Sequence, residues 1–267
     1  MPSARKTRIV IQGAAGRMGR RLFALASEDR DLAVVAALEA AGHPRLGEDA
    51  GAVAGIGPRG LTLGEAFEAE ADVIVDFSTP AGTARILDAA LDRGLALLVA
   101  TTGLDNALAL RLDQAAERIA LLVAPNTSLA VNLAMLLARK AAAALKDQDA
   151  DVEIIERHHR FKEDAPSGTA LKFGAEIAAE MGQIAHRHGR EGRAGKRPHG
   201  EIGYHAVRGG DNPGEHTILF ALLGEAVELS VKATSRDCYA AGALAAAKYL
   251  AGKPPGRYAM ADVLGLY

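Results

Sequence analysis

The stretch RIVIQGAAGRMGRRLFALAS, residues 8–27, joins a short apolar run to a glycine-rich turn and then to an amphipathic segment. The run RIVIQ (8–12) has the length and apolar content of a buried strand. After the turn, apolar side chains recur at helical spacing, at Met18, Leu22, Leu25 and Ala26. A strand, a glycine turn and a helix in this order predict the first unit of a doubly wound parallel sheet.

The rest of the first half repeats this alternation. Strands are predicted over 32–38, 71–77, 95–100 and 119–124, with helices near 81–93 and 105–117. Because these strands are almost continuously apolar, we expect a parallel sheet covered on both faces. Such sheets bind ligands at the carboxyl ends of their strands.

The pattern changes after a helix predicted over 129–146. Four segments with more polar alternation follow, as is typical of a sheet with one wetter face: DVEIIE (151–156), IGYHAVR (202–208), EHTILFAL (215–222) and AVELSVKA (226–233). The basic, glycine-rich segment 186–200 between them is interpreted as a solvated loop in preference to a lid over anionic ligands. A last helix over 236–251 is expected to return to the first domain.

The fold class is therefore predicted as α/β. Residues 1–128 plus 236–267 would form a Rossmann-like, doubly wound parallel sheet that binds a dinucleotide. Residues 129–235 would form a second, α+β domain with a mixed open sheet.

Composition narrows the classes of function. The 31 Lys and Arg residues against 33 Asp and Glu give a net charge of −2, so nucleic acid and anionic membranes are not expected as partners. One cysteine, Cys238, allows no intrachain disulfide. No segment approaches the roughly 18 consecutive apolar residues of a spanning helix, and the apolar run 9–11 is too short for a signal peptide. We expect a cytoplasmic protein.

The turn GAAGRMG (13–19) places glycines where a pyrophosphate approaches the backbone at a helix N-terminus. Its spacing is G-x-x-G-x-x-G instead of G-x-G-x-x-G, and such a turn can also be purely structural. The second strand ends at Glu39, where a carboxylate accepts hydrogen bonds from an adenosine ribose. Glu39 would repel a 2'-phosphate, and Ala40 stands where an arginine would bind one, which favours NAD over NADP. Arg17 is still within reach of a phosphate.

Three further strand ends carry small or hydroxyl residues where a nicotinamide and its ribose would lie. They are FSTP (77–80), ATTG (100–103) and APNTS (124–128). Each is also an ordinary loop, but their common position after strands favours the dinucleotide hypothesis.

The segment ERHHRFKEDAPSGTAL (156–171) follows the strand DVEIIE, so HHRFK (158–162) is expected to form a loop at its end. A helix predicted to begin near 167–169 and to stop at Gly182 would offer N–H groups and hydroxyls to a carboxylate. A proton donor, a cation and an anion site suit a small dicarboxylate that receives a hydride and a proton. Pro-Ser-Gly-Thr can also be a helix cap, and the histidines lack the spacing of metal ligands, so no metal is predicted.

Together, E-x-HH-x-x-K-x-DAPSGTA, GAAGRMG, TTG, APN-x-S, RGGDNPGEHTI and MADVLGL resemble the 4-hydroxy-tetrahydrodipicolinate reductase (dihydrodipicolinate reductase) family. The resemblance covers nearly the whole chain. It implies a homotetramer, assembled through the sheets of the substrate domain, that reduces a cyclic imine dicarboxylate on the diaminopimelate route to lysine with NADH or NADPH.

The resemblance also implies roles for individual residues. His158 would donate the proton, and Lys162 would be a second catalytic acid or stabilise charge. The substrate would be bound by His159, Ser167, Gly168 and Thr169. The cofactor would be bound by Gly13, Ala14, Ala15, Gly16, Arg17, Met18, Glu39, Ala100, Thr101, Thr102, Ala124, Pro125, Asn126 and Thr127.

Two positions depart from the family pattern. Ala100 stands where glycine is common, which would crowd the nicotinamide slightly. Ala40 stands where a basic residue is common, so NADH is expected to be preferred over NADPH. The alternatives are a dehydrogenase of another small imine or carbonyl acid, and a non-catalytic NAD-sensing module, which would need neither His158 nor Lys162. An enzyme with a cysteine nucleophile is disfavoured, because Cys238 lies far from this cluster in the sequence.

Overall fold

The structure is a computed structural model that describes residues 5–183 and 185–266. The chain divides into two compact units. The first comprises Met1–Leu129 and Tyr239–Tyr267, and the second Ala130–Cys238. The boundaries expected after residues 128 and 235 fall slightly earlier in the chain than these.

The helices and strands follow one another in this order: β1 (Thr7–Gln12), α1 (Arg17–Glu28), β2 (Leu32–Leu38), α2 (Ala50–Ala54), β3 (Leu63–Gly64), β4 (Val73–Asp76), α3 (Pro80–Arg93), β5 (Ala96–Val99), α4 (Asn106–Ala115), β6 (Ala120–Val123), α5 (Leu129–Leu145), β7 (Asp151–His158), α6 (Gly168–Met181), β8 (Ala185–His188), β9 (Glu201–Arg208), β10 (Gly214–Ala221), β11 (Ala226–Ala233), α7 (Asp237–Leu250), β12 (Gly256–Tyr258) and α8 (Met260–Val263).

The first unit contains a seven-stranded sheet in the order β12-β6-β5-β4-β1-β2-β3, and neighbouring strands pair in parallel throughout. Alternate residues of its central strands enter two apolar clusters, one with α1 and α7 and the other with α3 and α4. Both faces are covered, as continuous apolar strands require. The strand order changes direction at β1 and β4, which is where such sheets bind their ligands. The predicted Rossmann-like fold is confirmed.

The second unit contains a five-stranded sheet in the order β11-β10-β7-β9-β8. Strand β10 is antiparallel to β7 and β11, whereas β7, β9 and β8 are mutually parallel, so the predicted mixed sheet is confirmed. Apolar residues of α5 and α6 pack on one face in a single core cluster. Along β10 buried and half-buried residues alternate strictly, as expected when helices cover one face only.

Two details differ from the prediction. The segment expected to be a solvated loop begins with a strand, β8, whose His186 and His188 rings stack on Tyr204 at centroid distances of 5.7 and 5.2 Å. Polar edge strands lack the apolar alternation that identifies a strand in a sequence. In addition, β7 extends to His158, so the proton-donor candidate lies on a strand and the loop begins at His159.

Within the described residues, no helix is both long enough and apolar enough to cross a membrane.

Candidate active site

The glycine turn of the first unit is closely packed. Gly13 has a φ of +80°, and a Cβ there would lie 2.6 Å from the carbonyl oxygen of Phe77. A Cβ on Gly19 would overlap the carbonyl of Gly13. Glycine is therefore required at both positions, because the turn must fit between the start of α1 and the end of β4. Gly16 precedes α1 and provides no side-chain cap for the helix N–H groups.

Glu39 connects the end of β2 to this turn. Its carboxylate Oε1 accepts a hydrogen bond of 2.8 Å from the Ala15 N–H, and the residue is 9 % exposed. The structure therefore brings the predicted acid and the predicted glycine turn together. Arg85 on α3, which the sequence did not indicate, donates to the carbonyl oxygen of Glu39 at 3.0 Å. It adds a positive charge at this corner of the unit.

Asp76 organises two of the other strand ends. It is fully buried and accepts hydrogen bonds from the hydroxyls of Ser78, Thr83 and Thr101, at 2.5, 2.5 and 3.0 Å. Burial raises the pKa of the Asp76 carboxyl, although these hydrogen bonds oppose the shift. The side chain of Thr101 is thus used inside the unit, which leaves the backbone of its loop for a ligand.

The remaining cofactor candidates lie at the same edge of the sheet, after β5 and β6. Thr127 is buried, and its hydroxyl donates to the carbonyl of Tyr239 at 2.7 Å. Of the other candidates in these two loops, Ala100 and Ala124 are buried, Asn126 is half-buried, and Thr102 and Pro125 are exposed. The candidates Ala14, Arg17 and Met18 belong to the glycine turn and the first turn of α1.

In the second unit, Glu156 is the centre of a buried polar network. It is fully buried on β7. Its carboxylate accepts two hydrogen bonds from Arg208, at 2.7 and 2.8 Å, and one from the Ser167 N–H, at 3.0 Å. One of its oxygens also lies 2.5 Å from Nδ1 of His158. Burial would raise the pKa of Glu156, but the hydrogen bonds from Arg208, His158 and Ser167 outweigh it and lower the pKa. Glu156 is therefore held as a carboxylate.

His158 follows Glu156 on the same face of β7 and is 8 % exposed. Its Nε2 faces Gly214, where a Cβ would lie 2.9 Å from that nitrogen. Burial lowers the pKa of His158, and Glu156 opposes the shift. The ring meets that of His216 edge-on at a centroid distance of 5.3 Å, and burial, followed by the charge of His158, lowers the pKa of His216 to about 4.

Lys162 and His159 lie in the loop after β7. The Lys162 ammonium contacts both carboxylate oxygens of Asp164, at 2.7 and 2.9 Å. Nε2 of His159 lies 3.4 Å from a guanidinium nitrogen of Arg236, and its Nδ1 is buried without a hydrogen-bond partner among the described residues. His159 and Arg236 thus form a polar pair that the sequence did not predict.

The segment Pro-Ser-Gly-Thr, which was interpreted either as a helix cap or as a carboxylate-binding site, forms the start of α6. Ser167 is the N-cap, and its hydroxyl accepts the Ala170 N–H at 3.2 Å and contacts Nε2 of His216 at 3.1 Å. The capping interpretation is thus correct for the Ser167 side chain, which is 2 % exposed. Gly168 is exposed and Thr169 half-buried at the first turn of the helix.

The sequence analysis assigned no role to several residues of this cluster: Glu156, Arg208, Gly214, His216 and Arg236. The first four lie in the motifs that carry the family resemblance, but nothing in the sequence placed them around His158. No group of three or more His, Cys, Asp or Glu side chains with the arrangement of a metal site occurs in residues 5–183 and 185–266.

Comparison with known proteins agrees with this architecture. The family model described as "Dihydrodipicolinate reductase, N-terminus" matches residues 7–127, and the one described as "Dihydrodipicolinate reductase, C-terminus" matches residues 130–264. The chain belongs to the dihydrodipicolinate reductase family.

Relatives within this family match over nearly their full length. The chain is 51 % identical to the 4-hydroxy-tetrahydrodipicolinate reductase of Rhodopirellula baltica, over 97 % of this chain and 96 % of the relative. It is 48 % identical to that of Alkalilimnicola ehrlichii, over 97 % and 99 %. Among solved structures, the dipicolinate-bound dihydrodipicolinate reductase from Paenisporosarcina sp. TG-14 has the same fold, with a TM-score of 0.78, 24 % identity and coverage of 96 % and 98 %.

Proposed function

We propose that this chain catalyses the NAD(P)H-dependent reduction of 4-hydroxy-tetrahydrodipicolinate to tetrahydrodipicolinate, in the diaminopimelate route to lysine. The observation that carries the proposal is membership of the reductase family along both units, with relatives of that name matched over nearly their full length. The second unit adds a histidine held by a buried carboxylate, as a proton donor requires.

A bound reduced nicotinamide supplies the hydride. The 4-hydroxyl group of the substrate leaves as water, which gives a conjugated ring. Hydride addition to this ring builds negative charge, which a proton from the protein must neutralise. His158 donates this proton from Nε2, because its Nδ1 is engaged by Glu156. A positioned general acid contributes roughly a hundred- to ten-thousandfold in rate. Lys162 stabilises the same charge or provides a second acid.

The substrate is a dicarboxylate, and the second unit supplies groups for such an anion. The first turn of α6 presents Gly168 and Thr169 after its cap, Ser167, and helix N-termini favour negative charge. His159 provides a polar contact, with Arg236 beside it. These assignments place the substrate in the second unit.

The residues of the first unit fit a nicotinamide dinucleotide. Gly13 and Gly19 let the turn pack closely against the end of β4 and the start of α1. The turn therefore lies directly at the N-terminus of α1, where helix N–H groups favour a pyrophosphate. The Glu39 carboxylate is set to accept the ribose hydroxyls and disfavours a 2'-phosphate. NADH is therefore the preferred cofactor, while Arg85 provides a charge that lets NADPH serve as well.

We further propose a cytoplasmic homotetramer. The face of the second sheet opposite α5 and α6 carries the half-buried side chains of Ile155, Thr217 and Leu219 and the 47 % exposed Val207. Sheet faces with apolar residues are normally covered, and copies of the same chain supply the cover here. Nucleic acid and membranes are not expected as partners, given the net charge of −2.

A coupled assay tests the reaction. The substrate is generated from pyruvate and aspartate semialdehyde by a separate synthase, and the loss of NADH and NADPH absorbance is followed. We expect oxidation that depends on the synthase and is faster with NADH at low cofactor concentration. No oxidation of either cofactor by a folded protein that binds NADH would refute the proposal, and would favour another imine or carbonyl acid or a sensing role.

The proposed roles of His158 and Lys162 are tested by His158→Ala and Lys162→Ala. We expect turnover to fall about a hundred- to ten-thousandfold with an unchanged Kd for NADH. His199→Ala is the matched control, because His199 lies in the same unit but its side chain is 68 % exposed and pairs with the exposed Asp149. Unchanged turnover in both variants would assign the proton to another group.

A further inference from the structure

Both carboxylate oxygens of Glu156 have hydrogen-bond partners, although the side chain is fully buried. Oε1 accepts the Ser167 N–H and one guanidinium nitrogen of Arg208, and Oε2 accepts the other guanidinium nitrogen and contacts His158. A buried charge is costly unless it is paired and hydrogen-bonded. Proteins in which a buried ion pair is replaced by apolar residues of similar volume are often as stable as the original. Stability alone therefore gives no reason for an ionised group at this position.

The strand register explains how this arrangement forms. Residues 156 and 158 lie on the same face of β7, since side chains alternate along a strand. Strand β9 is parallel to β7 and pairs Arg208 with His158, so the guanidinium reaches across to both oxygens of Glu156. This bidentate geometry fixes the carboxylate, and the carboxylate in turn fixes Nδ1 of His158. The other ring nitrogen, Nε2, is thereby directed to the side where Gly214 leaves space.

The charges around His158 are otherwise unfavourable to a protonated imidazole. Burial lowers the pKa of His158 most, and two cations lower it further: Arg208 on β9 and Lys162 in the loop after β7. His216 approaches from β10, but its own pKa of about 4 leaves it neutral near pH 7. Glu156 contacts Nδ1 of the ring and favours its protonated form.

We propose that Glu156 and Arg208 are positioning residues for His158: Arg208 locks the Glu156 carboxylate, which orients the His158 ring and keeps it able to carry a proton among cations. The proposal rests on the role of His158 as proton donor in the proposed function. It assigns neither Glu156 nor Arg208 a contact with the substrate.

The same carboxylate also fixes the start of α6, through the Ser167 N–H. A displacement of Glu156 would therefore move the proton donor and the first turn of α6 together. The distance between the donor and the proposed carboxylate-binding residues Gly168 and Thr169 is consequently set by one side chain. We expect variants of Glu156 to change both kcat and KM.

The decisive experiment measures the pKa of His158 by NMR, from the chemical shift of its Cε1–H against pH in the ligand-free protein. Glu156→Gln should lower this pKa by about 1 or more, since it removes the carboxylate that contacts the ring. Arg208→Lys keeps the positive charge but cannot hold both oxygens of Glu156, so it should also lower the pKa of His158, because the carboxylate is no longer fixed against the ring. Glu180→Gln is the matched control: it removes an arginine-paired carboxylate from α6, where Arg139 contacts it at 3.0 Å, and should leave His158 unchanged.

The pH dependence of NADH oxidation gives the second readout. A proton donor loses activity as pH rises through its pKa, so the falling limb of the kcat/KM profile should move to lower pH in both Glu156→Gln and Arg208→Lys. Glu156→Asp retains the charge, so the falling limb of its kcat/KM profile should stay near that of the wild type. Its kcat should fall, because the shorter side chain displaces the His158 ring.

The outcomes separate this proposal from the proposed function. An unchanged His158 pKa in Glu156→Gln or in Arg208→Lys would overturn the positioning role, and the second variant decides alone if the first does not fold. If both variants lower the His158 pKa but the wild-type protein oxidises neither NADH nor NADPH, the positioning role is supported and the reductase activity is refuted.

Discussion

At the scale of single residues, His216 makes the stability of the second unit depend on pH. Its folded-state pKa is about 4, against 6.5 for an unperturbed histidine, because the ring is buried beside His158. The unfolded chain therefore binds a proton that the folded chain excludes. This contribution to stability is fully present above pH 6.5 and is lost as pH falls toward 4. The free energy of unfolding should decrease by about 3 kcal/mol over this range.

Urea unfolding of the wild type and of His216→Gln between pH 7.5 and about pH 4 measures this effect. Glutamine does not titrate and keeps a polar group beside Ser167. The free energy of unfolding of His216→Gln should therefore fall less steeply than that of the wild type as the pH is lowered. Parallel curves for the two proteins would show that His216 is not the group responsible.

Cofactor choice is also decided by single side chains near Glu39. Ala40→Arg should raise kcat/KM for NADPH about tenfold or more, because a charged hydrogen bond to a 2'-phosphate contributes about 1.5–3 kcal/mol. Arg85→Ala should lower kcat/KM for NADPH and change that for NADH little. Arg111→Ala, which removes an exposed arginine of α4 paired with Asp88, is the control. A larger loss with NADH than with NADPH in Arg85→Ala would contradict the assignment.

At the scale of elements, the start of β10 is fitted to the end of β7. Gly214 has a φ of +153°, and a Cβ there would lie 2.9 Å from Nε2 of His158, whose ring cannot move aside while Glu156 holds it. Gly214→Ala should therefore lower kcat more than tenfold. Gly209→Ala is the matched control, because no atom of the described residues lies within 4 Å of a Cβ at that position and its φ is not positive. Equal activity of the two variants would show that the space beside Nε2 is not needed.

The elements that the sequence predicted are those with a strong apolar period. The predicted strand over 32–38 coincides with β2, and the helix expected to stop at Gly182 has that residue as its C-cap, with a φ of +70°. The short elements α2, β3, β12 and α8 were not predicted, since a few residues carry too little periodicity. Strand β8 was missed because its residues are polar and exposed.

For the candidate site, local sequence motifs indicated the catalytic candidates but not the residues that contact them in the fold. The glycine turn and the segment after β7 are continuous in sequence, so His158 and Lys162 could be recognised there. Arg208 and His216 reach His158 only through the pairing of β7 with β9 and β10. The register of strands so distant in sequence is not encoded in any local pattern. Glu156 belonged to the recognised motif, but its role became visible only with Arg208 beside it.

At the scale of the whole molecule, the two units differ in the kind of sheet that carries each proposed site. The parallel sheet of the first unit places the loops of the proposed cofactor site at the carboxyl ends of its strands. The mixed sheet of the second unit carries Glu156, His158 and His216 on the face covered by helices. In the proposed function, the helix-covered face serves proton transfer and the opposite, open face serves assembly.

Assembly through that open face can be tested with one substitution. Ile155 lies in the central strand β7, where β9 presents His205 and β10 presents Thr217 beside it. Ile155→Lys should reduce the tetramer to smaller species in sedimentation velocity, because a symmetric interface brings the same new charge together more than once. Leu110→Lys, at a 58 % exposed apolar position on α4, should remain a tetramer. A wild-type protein that sediments as a monomer at assay concentrations would refute the assembly, whereas a tetrameric Ile155→Lys variant would move the interface to another surface.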